Sequence, residues 1–161
     1  MENIFEGLTP QEQEKLVHSV VWVTVLIAGA DGKIESEELD WATKITRIRG
    51  FSGADDLIEF YNEVGKYFEE HFTYVIENIT TDHEKRTEIA IAHLKEINPI
   101  LEKLTTKIGA MIYSSLKSFA KHVAKASGGF LRMWSISYEE TKYIDLPMLD
   151  PIIYVEDEDI D

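Results

Sequence analysis

The chain has 161 residues, 44% of them hydrophobic, and it contains no cysteine. This length is enough for one domain with its own core, and the lack of cysteine excludes a disulfide framework, a thiol nucleophile and a thiolate metal site. Thirty acidic against sixteen basic residues give a formal net charge of −14, which favours cationic partners and argues against nucleic acid as a partner.

The first predicted helix begins at Thr9-Pro10 and runs to about Gly29. Threonine caps free amide groups and proline fits the first helical position, so this dipeptide is a good helix start. From Val20 to Ala30 the helix is apolar on nearly every side, which predicts a central helix surrounded by others. This run is shorter than the roughly 20 residues that a membrane-spanning helix needs, and residues 1–10 lack the basic start of a secretory signal, so we expect a cytoplasmic protein.

Apolar residues at spacings of three and four predict three further helices. The second is short and amphipathic, and it ends at Gly50. The third follows Ser52-Gly53-Ala54-Asp55, a capping-box pattern with Asp in place of Glu, and extends to Val75. The fourth follows Thr80-Thr81-Asp82 and ends where Asn98-Pro99 stops and restarts the helical pattern.

A long fifth helix is predicted from about Pro99 to Ala126. Its apolar residues share one face, and the opposite face carries a lysine stripe: Lys103, Lys107, Lys117, Lys121 and Lys125. We favour a solvated helix face for this stripe. The alternatives are contact with an anionic membrane or nucleic acid, and attraction to the acidic tail or N-terminal half of the same chain. Ser137-x-x-Glu140 predicts a sixth, short helix that ends near Pro147. Residues 151–161 are predicted to form a disordered acidic tail after a domain over residues 1–150, because Glu156–Asp161 is too charged to pack.

The turn between the first two predicted helices, residues 28–38, is an acidic corner. It carries four candidate cation ligands: Asp31, Glu35, Glu37 and Glu38. With backbone carbonyls, these side chains can supply the hard oxygen ligands that Ca²⁺ or Mg²⁺ requires. The corner is not an EF-hand, because the positions that need Gly and Glu hold Ser36 and Ala42. We favour a structural role, in which Asp31-Gly32 makes a turn and the glutamates stabilise the helix start.

A degenerate copy of the corner follows near the C-terminus, as Ala126-Ser127-Gly128-Gly129-Phe130 and then Ile136-Ser137-x-x-Glu140. The two corners resemble those of the TerB-like family, named after a tellurite-resistance protein, and the match covers most of Leu16–Leu149. In the first corner the family pattern is carried by Ala30, Asp31, Gly32, Ile34 and Glu38. The resemblance implies an all-α, pseudo-symmetric bundle of about six to seven helices without recognised enzymatic activity. It also implies roles in stress response, metal-linked resistance and larger assemblies, some of them membrane-associated.

The second corner departs from the family pattern, because Ser127 stands where a second Asp is expected and Phe130–Trp134 is inserted after the glycines. The departure argues against a two-site metal centre. The insert is apolar and basic, so Phe130, Arg132 and Trp134 are candidate partner-binding residues. We favour the structural alternative, in which the aromatic side chains fold over the core.

Catalytic motifs are missing from the sequence, which has neither a nucleophile elbow nor a phosphate-binding glycine loop. Its five histidines show no zinc-binding spacing, and we interpret them as ordinary helix-face residues. The leading hypothesis is a non-catalytic TerB-like interaction or stress-response module with an unidentified protein partner. The alternatives are a metal-dependent hydrolase that uses the acidic corner and a membrane-surface adaptor that uses the lysine stripe.

Overall fold

The computed structural model describes residues 4–28, 36–52, 55–79, 82–127 and 142–155. Over these ranges the chain forms six helices and no strand: α1 (Pro10–Ala28), α2 (Ser36–Ser52), α3 (Asp55–Asn78), α4 (His83–Glu96), α5 (Asn98–Lys103) and α6 (Thr106–Ser127). The predicted all-α fold is therefore confirmed for this part of the chain. The pseudo-symmetry and the helix count of the whole domain stay predictions, because residues 128–141 lie outside the described ranges.

The central helix is α1. Every residue from Leu16 to Ala28 except His18 is buried, and α1 contacts α2, α3, α4 and α6. Its two buried hydroxyls are satisfied within the helix, since Ser19 donates to the Leu16 carbonyl at 2.5 Å and Thr24 donates to the Val20 carbonyl at 2.9 Å. The prediction of a helix surrounded by others is confirmed. None of the described helices combines the length and the apolar character that crossing a membrane requires.

A capping box fixes the start of α1. The Glu12 amide donates to Thr9 Oγ1 at 3.1 Å, and the Thr9 amide donates to Glu12 Oε1 at 3.0 Å. Lys103 Nζ lies 2.5 Å from Glu12 Oε2, and this hydrogen bond lowers the pKa of Glu12. The cap therefore also connects α1 to the end of α5.

Replacing Thr9 with alanine is expected to lower the free energy of unfolding by about 1 kcal/mol, because a helix N-terminal amide loses its side-chain acceptor. Thr9→Ser keeps the hydroxyl and is the matched control, for which most of the stability should remain. Urea unfolding of both variants measures the difference. An equal loss in the serine variant would show that the hydroxyl does not stabilise this helix end.

The long helix predicted from Pro99 to Ala126 is two helices in the structure. After α5, Leu104 adopts an extended backbone with φ −78° and ψ 165°. Thr105 is the N-cap of α6. Its carbonyl accepts from the Gly109 amide at 2.8 Å, and its Oγ1 accepts from the Ile108 amide at 3.3 Å. The apolar spacing continues across this break, so periodicity alone predicted one helix. The second helix was also predicted too short, since α2 continues to Ser52.

Close packing accompanies the break between α5 and α6. A Cβ atom on Gly109 would lie 3.0 Å from the Leu101 carbonyl oxygen. Such a distance is tighter than side chains normally tolerate, so glycine at this position lets the two helices approach each other.

The C-terminal segment, residues 142–155, packs back on the helices. Asn98 holds it at the start of α5, since its Nδ2 donates to the Met148 carbonyl at 3.1 Å and its Oδ1 accepts from the Asp150 amide at 2.9 Å. Leu146 and Leu149 are the buried leucines of this segment. The predicted sixth helix starts at residues that the structure does not describe.

Candidate functional site

The site residues predicted from the sequence lie at the edge of the described ranges or outside them. Asp31 and Glu35 fall outside, and Glu37 and Glu38 belong to the first turn of α2, where only the backbone is described. The predicted partner-binding residues Phe130, Arg132 and Trp134 fall outside as well. Among the side chains that the structure describes, no group of three or more His, Asp or Glu is arranged to hold a metal ion. The cation site and the docking insert therefore stay predictions.

The lysine stripe is not a continuous row of free charges. Lys103 belongs to α5 and pairs with Glu12, and Lys107 Nζ lies 3.8 Å from Asp56 Oδ2. Lys117 Nζ lies 5.3 Å from the centre of the Tyr113 ring. Two of the five predicted charges are thus opposed by carboxylates, which weakens the stripe as a surface for anionic membranes.

An acidic groove of about 1200 Å³ lies between the N-terminal turn, α3 and the α5–α6 junction. Its walls contain apolar side chains from all three regions, namely Ile4, Ile58, Leu104 and Ile108. Five carboxylates and two amines also line it: Glu6, Asp55, Asp56, Glu59, Glu63, Lys66 and Lys103. The groove therefore combines apolar walls with an excess of negative charge.

Both amines of the acidic groove are already paired. Lys66 Nζ lies 2.6 Å from Glu63 Oε1, a hydrogen bond that raises the pKa of Lys66, and Lys103 pairs with Glu12. By contrast, Glu6, Asp55 and Glu59 form no ion pair with any other described residue. These three carboxylates leave the groove negative on a chain that is itself strongly acidic.

A second cavity, the Arg49 pocket, has a volume of about 540 Å³ and lies between α2, α3 and α6. One face of α6 lines it at helical spacing with Lys107, Ala110, Met111, Ser114, Ser115 and Ser118. The remaining walls are Arg49 from α2, Leu57 and Tyr61 from α3, and Tyr154 from the C-terminal segment. Among the lining residues that the structure describes, Arg49 and Lys107 carry a charge and none is a carboxylate.

Arg49 is partly buried among neutral oxygens. Its Nη1 donates to Tyr61 Oη at 2.9 Å and to the carbonyl and Oγ of Ser115 at 3.0 Å, and its Nη2 donates to Ser118 Oγ at 3.0 Å. The guanidinium carbon also lies 5.3 Å from the Tyr61 ring centre and 5.6 Å from that of Phe119. No described carboxylate pairs with this charge.

The proton of His122 is fixed by the same network. Its Nδ1 lies 2.9 Å from the Ser118 carbonyl oxygen and 3.4 Å from Arg49 Nη2. Because a carbonyl only accepts, Nδ1 carries a proton and donates it to Ser118, and the longer contact to Arg49 is not a hydrogen bond. The hydroxyl of Ser115 therefore hydrogen-bonds to Arg49 and Tyr61, and that of Ser118 to Arg49. In these contacts neither serine is bonded to a histidine that could act as a general base.

Three histidines, one each from α1, α3 and α4, form an aromatic cluster with Trp22. The His18 and His71 rings stack with centres 3.7 Å apart, and the His93 ring stacks on Trp22 at 4.1 Å. Burial lowers the pKa of His71 from 6.5 to about 4, with further contributions from His18 and His93. His71 Nδ1 is buried and has no hydrogen-bond partner among the described residues. Burial also lowers the pKa of His18. The sequence pattern did not predict this cluster, because its members meet only in the folded bundle.

Arg49 was also missed by sequence reasoning, and no local signal marks it. Its partners Ser115 and Ser118 lie 66 and 69 positions further along the chain.

Comparison with family models, with curated proteins and with solved structures finds no match to this chain. The TerB-like resemblance therefore rests on the corner motifs alone.

Proposed function

We propose that this chain is a non-catalytic interaction module of the TerB-like type, which holds a basic, amphipathic segment of a partner protein in the acidic groove. One observation carries the proposal: the carboxylates of Glu6, Asp55 and Glu59, which form no ion pair with another described residue, share a groove with apolar walls. A stress-response role, a cytoplasmic location and a cation at the Asp31 corner belong to the same proposal and rest on the sequence.

Charge and shape act together in this groove. The negative potential attracts a basic segment from a distance and orients it, while salt weakens the attraction between exposed charges. Apolar side chains of the partner can then bury surface against Ile58 and Ile108, which adds affinity that salt does not remove. We therefore expect a partner segment that carries both lysine or arginine and aliphatic residues.

The test uses a fluorescently labelled peptide of alternating lysine and leucine blocks as the probe. Asp55→Asn/Glu59→Gln is expected to weaken its binding about fivefold to tenfold, because two exposed attractive charges are lost. Glu77→Gln/Glu88→Gln is the matched control, since it removes the same charge at exposed positions outside the groove. Fluorescence anisotropy measures the affinities at low and high salt.

Two results would contradict the groove as the binding surface. One is an equal loss of affinity in the control variant, which would mean that the peptide responds only to the overall charge of the protein. The other is equally tight binding of a lysine–serine peptide, which would show that the apolar walls make no contribution.

A further inference from the structure

We propose that the Arg49 pocket binds a small organic acid, with its carboxylate at Arg49 and its apolar body against α6. The site is separate from the acidic groove and does not depend on the function proposed for that groove.

The positive charge of the pocket is only weakly compensated by the residues that the structure describes. Arg49 and Lys107 both line it, and none of the described lining residues is a carboxylate, in a chain that has nearly twice as many acidic as basic residues. Among the described residues Lys107 pairs with Asp56 at 3.8 Å, and both of these side chains are about half exposed, so their attraction is weak. Neutral hydroxyls solvate Arg49 without cancelling its charge, so an anion that enters the pocket is stabilised by two cations.

The hydroxyls around Arg49 can also donate. Tyr61 Oη, Ser115 Oγ and Ser118 Oγ each accept a hydrogen bond from the guanidinium, so none of their own protons is used in those bonds. Tyr61 and Ser115 also hydrogen-bond to each other, which uses one of their two protons. One proton of this pair and that of Ser118 can therefore turn toward a carboxylate oxygen.

The apolar walls and the volume of the pocket indicate what kind of group is joined to the carboxylate of the ligand. Leu57, Ala110 and Met111 supply aliphatic surface, and the Tyr61 and Tyr154 rings lie on other sides of the cavity. The volume of about 540 Å³ falls within the usual range of small-molecule sites. A carboxylate joined to an aliphatic or aromatic body matches this combination, whereas inorganic phosphate leaves the apolar walls uncovered.

The test is calorimetric titration of the full chain with decanoate, with decanamide as an uncharged analogue and with inorganic phosphate. Decanoate is expected to bind at least about tenfold more tightly than decanamide, because the amide lacks the charge that Arg49 recognises. It is also expected to bind at least about tenfold more tightly than phosphate, which gains nothing from the apolar walls.

Arg49→Gln is expected to reduce decanoate affinity at least about tenfold. Arg47→Gln is the matched control on the same helix, since Arg47 is exposed, faces Glu69 at 3.8 Å and does not line the pocket. Met111→Glu is a second variant in case Arg49→Gln fails to fold, and its added carboxylate is expected to abolish decanoate binding.

Equal affinity for decanoate and decanamide would overturn the proposal, as would unchanged decanoate binding in Met111→Glu. Phosphate binding as tight as that of decanoate would do the same, because it would show that the apolar walls play no part. The lysine–leucine peptide tests the acidic groove and not this pocket, so failure of one proposal is distinguishable from failure of the other.

Discussion

Leu26→Ala is expected to lower the free energy of unfolding by about 3–4 kcal/mol, the largest effect among the substitutions considered. Leu26 lies on the central helix α1 and is 0% exposed. The substitution removes buried methyl groups and leaves a cavity, and the helices packed around α1 limit how far the site can collapse. Urea unfolding, with the slope of the transition monitored, measures the loss.

Ile48→Ala is the control for this prediction. Ile48 lies on α2 and is 49% exposed, so its loss should cost less than about 1 kcal/mol. If the two variants were equally stable, α1 would not be the rigid centre of the bundle that its burial indicates.

His71→Phe is expected to make the protein less sensitive to acid. The unfolded chain takes up a proton at this histidine below pH 6.5, whereas the folded protein resists protonation until about pH 4. Between these values the unfolded state binds more protons, so the stabilising effect of a neutral His71 is fully present above pH 6.5 and is lost as the pH falls toward 4. Because the ring is only partly buried, solvent screening reduces the loss to about 1–2 kcal/mol.

The phenylalanine ring retains the stacking on His18 and removes the buried nitrogen that His71 leaves without a partner among the described residues. The free energies of unfolding of wild type and variant, measured by urea at pH 7.5 and at pH 4.5, should therefore diverge at the lower pH. Val75→Ala on the same helix is the control, because it removes a buried group that does not titrate and should shift both values equally. Parallel pH dependence of wild type and His71→Phe would exclude a contribution from His71.

The sequence predicted the helices whose signals are local. Thr9-Pro10 marks the start of α1, and the unbroken apolar run after Val20 predicts its central place, since a helix can be apolar on all sides only when others cover it. The start of α4 is equally local, because Asp82 accepts from the Lys85 amide as an N-cap. Between α5 and α6 the apolar spacing continues, which predicted one helix, whereas the Thr105 hydroxyl caps the start of a separate helix.

The candidate sites were not predictable in the same way. The Arg49 pocket needs residues from three helices and from the C-terminal segment, and their spacing along the chain shows no motif. The histidine cluster similarly draws one ring from each of three helices. Sequence reasoning instead selected the acidic corner, where the carboxylates are adjacent, because periodicity and spacing reveal only residues that are close along the chain.

The Asp56–Lys107 ion pair stands between the two proposed sites, since Asp56 lines the acidic groove and Lys107 lines the Arg49 pocket. An anion that draws Lys107 toward itself would weaken the pairing of Lys107 with Asp56. The Asp56 carboxylate would then attract a cationic ligand in the acidic groove more strongly. Thermodynamic linkage makes such an effect reciprocal, so each ligand would raise the affinity for the other by the same factor. If both proposed ligands bind, the Asp56–Lys107 pair is the contact through which binding in one cavity would affect binding in the other.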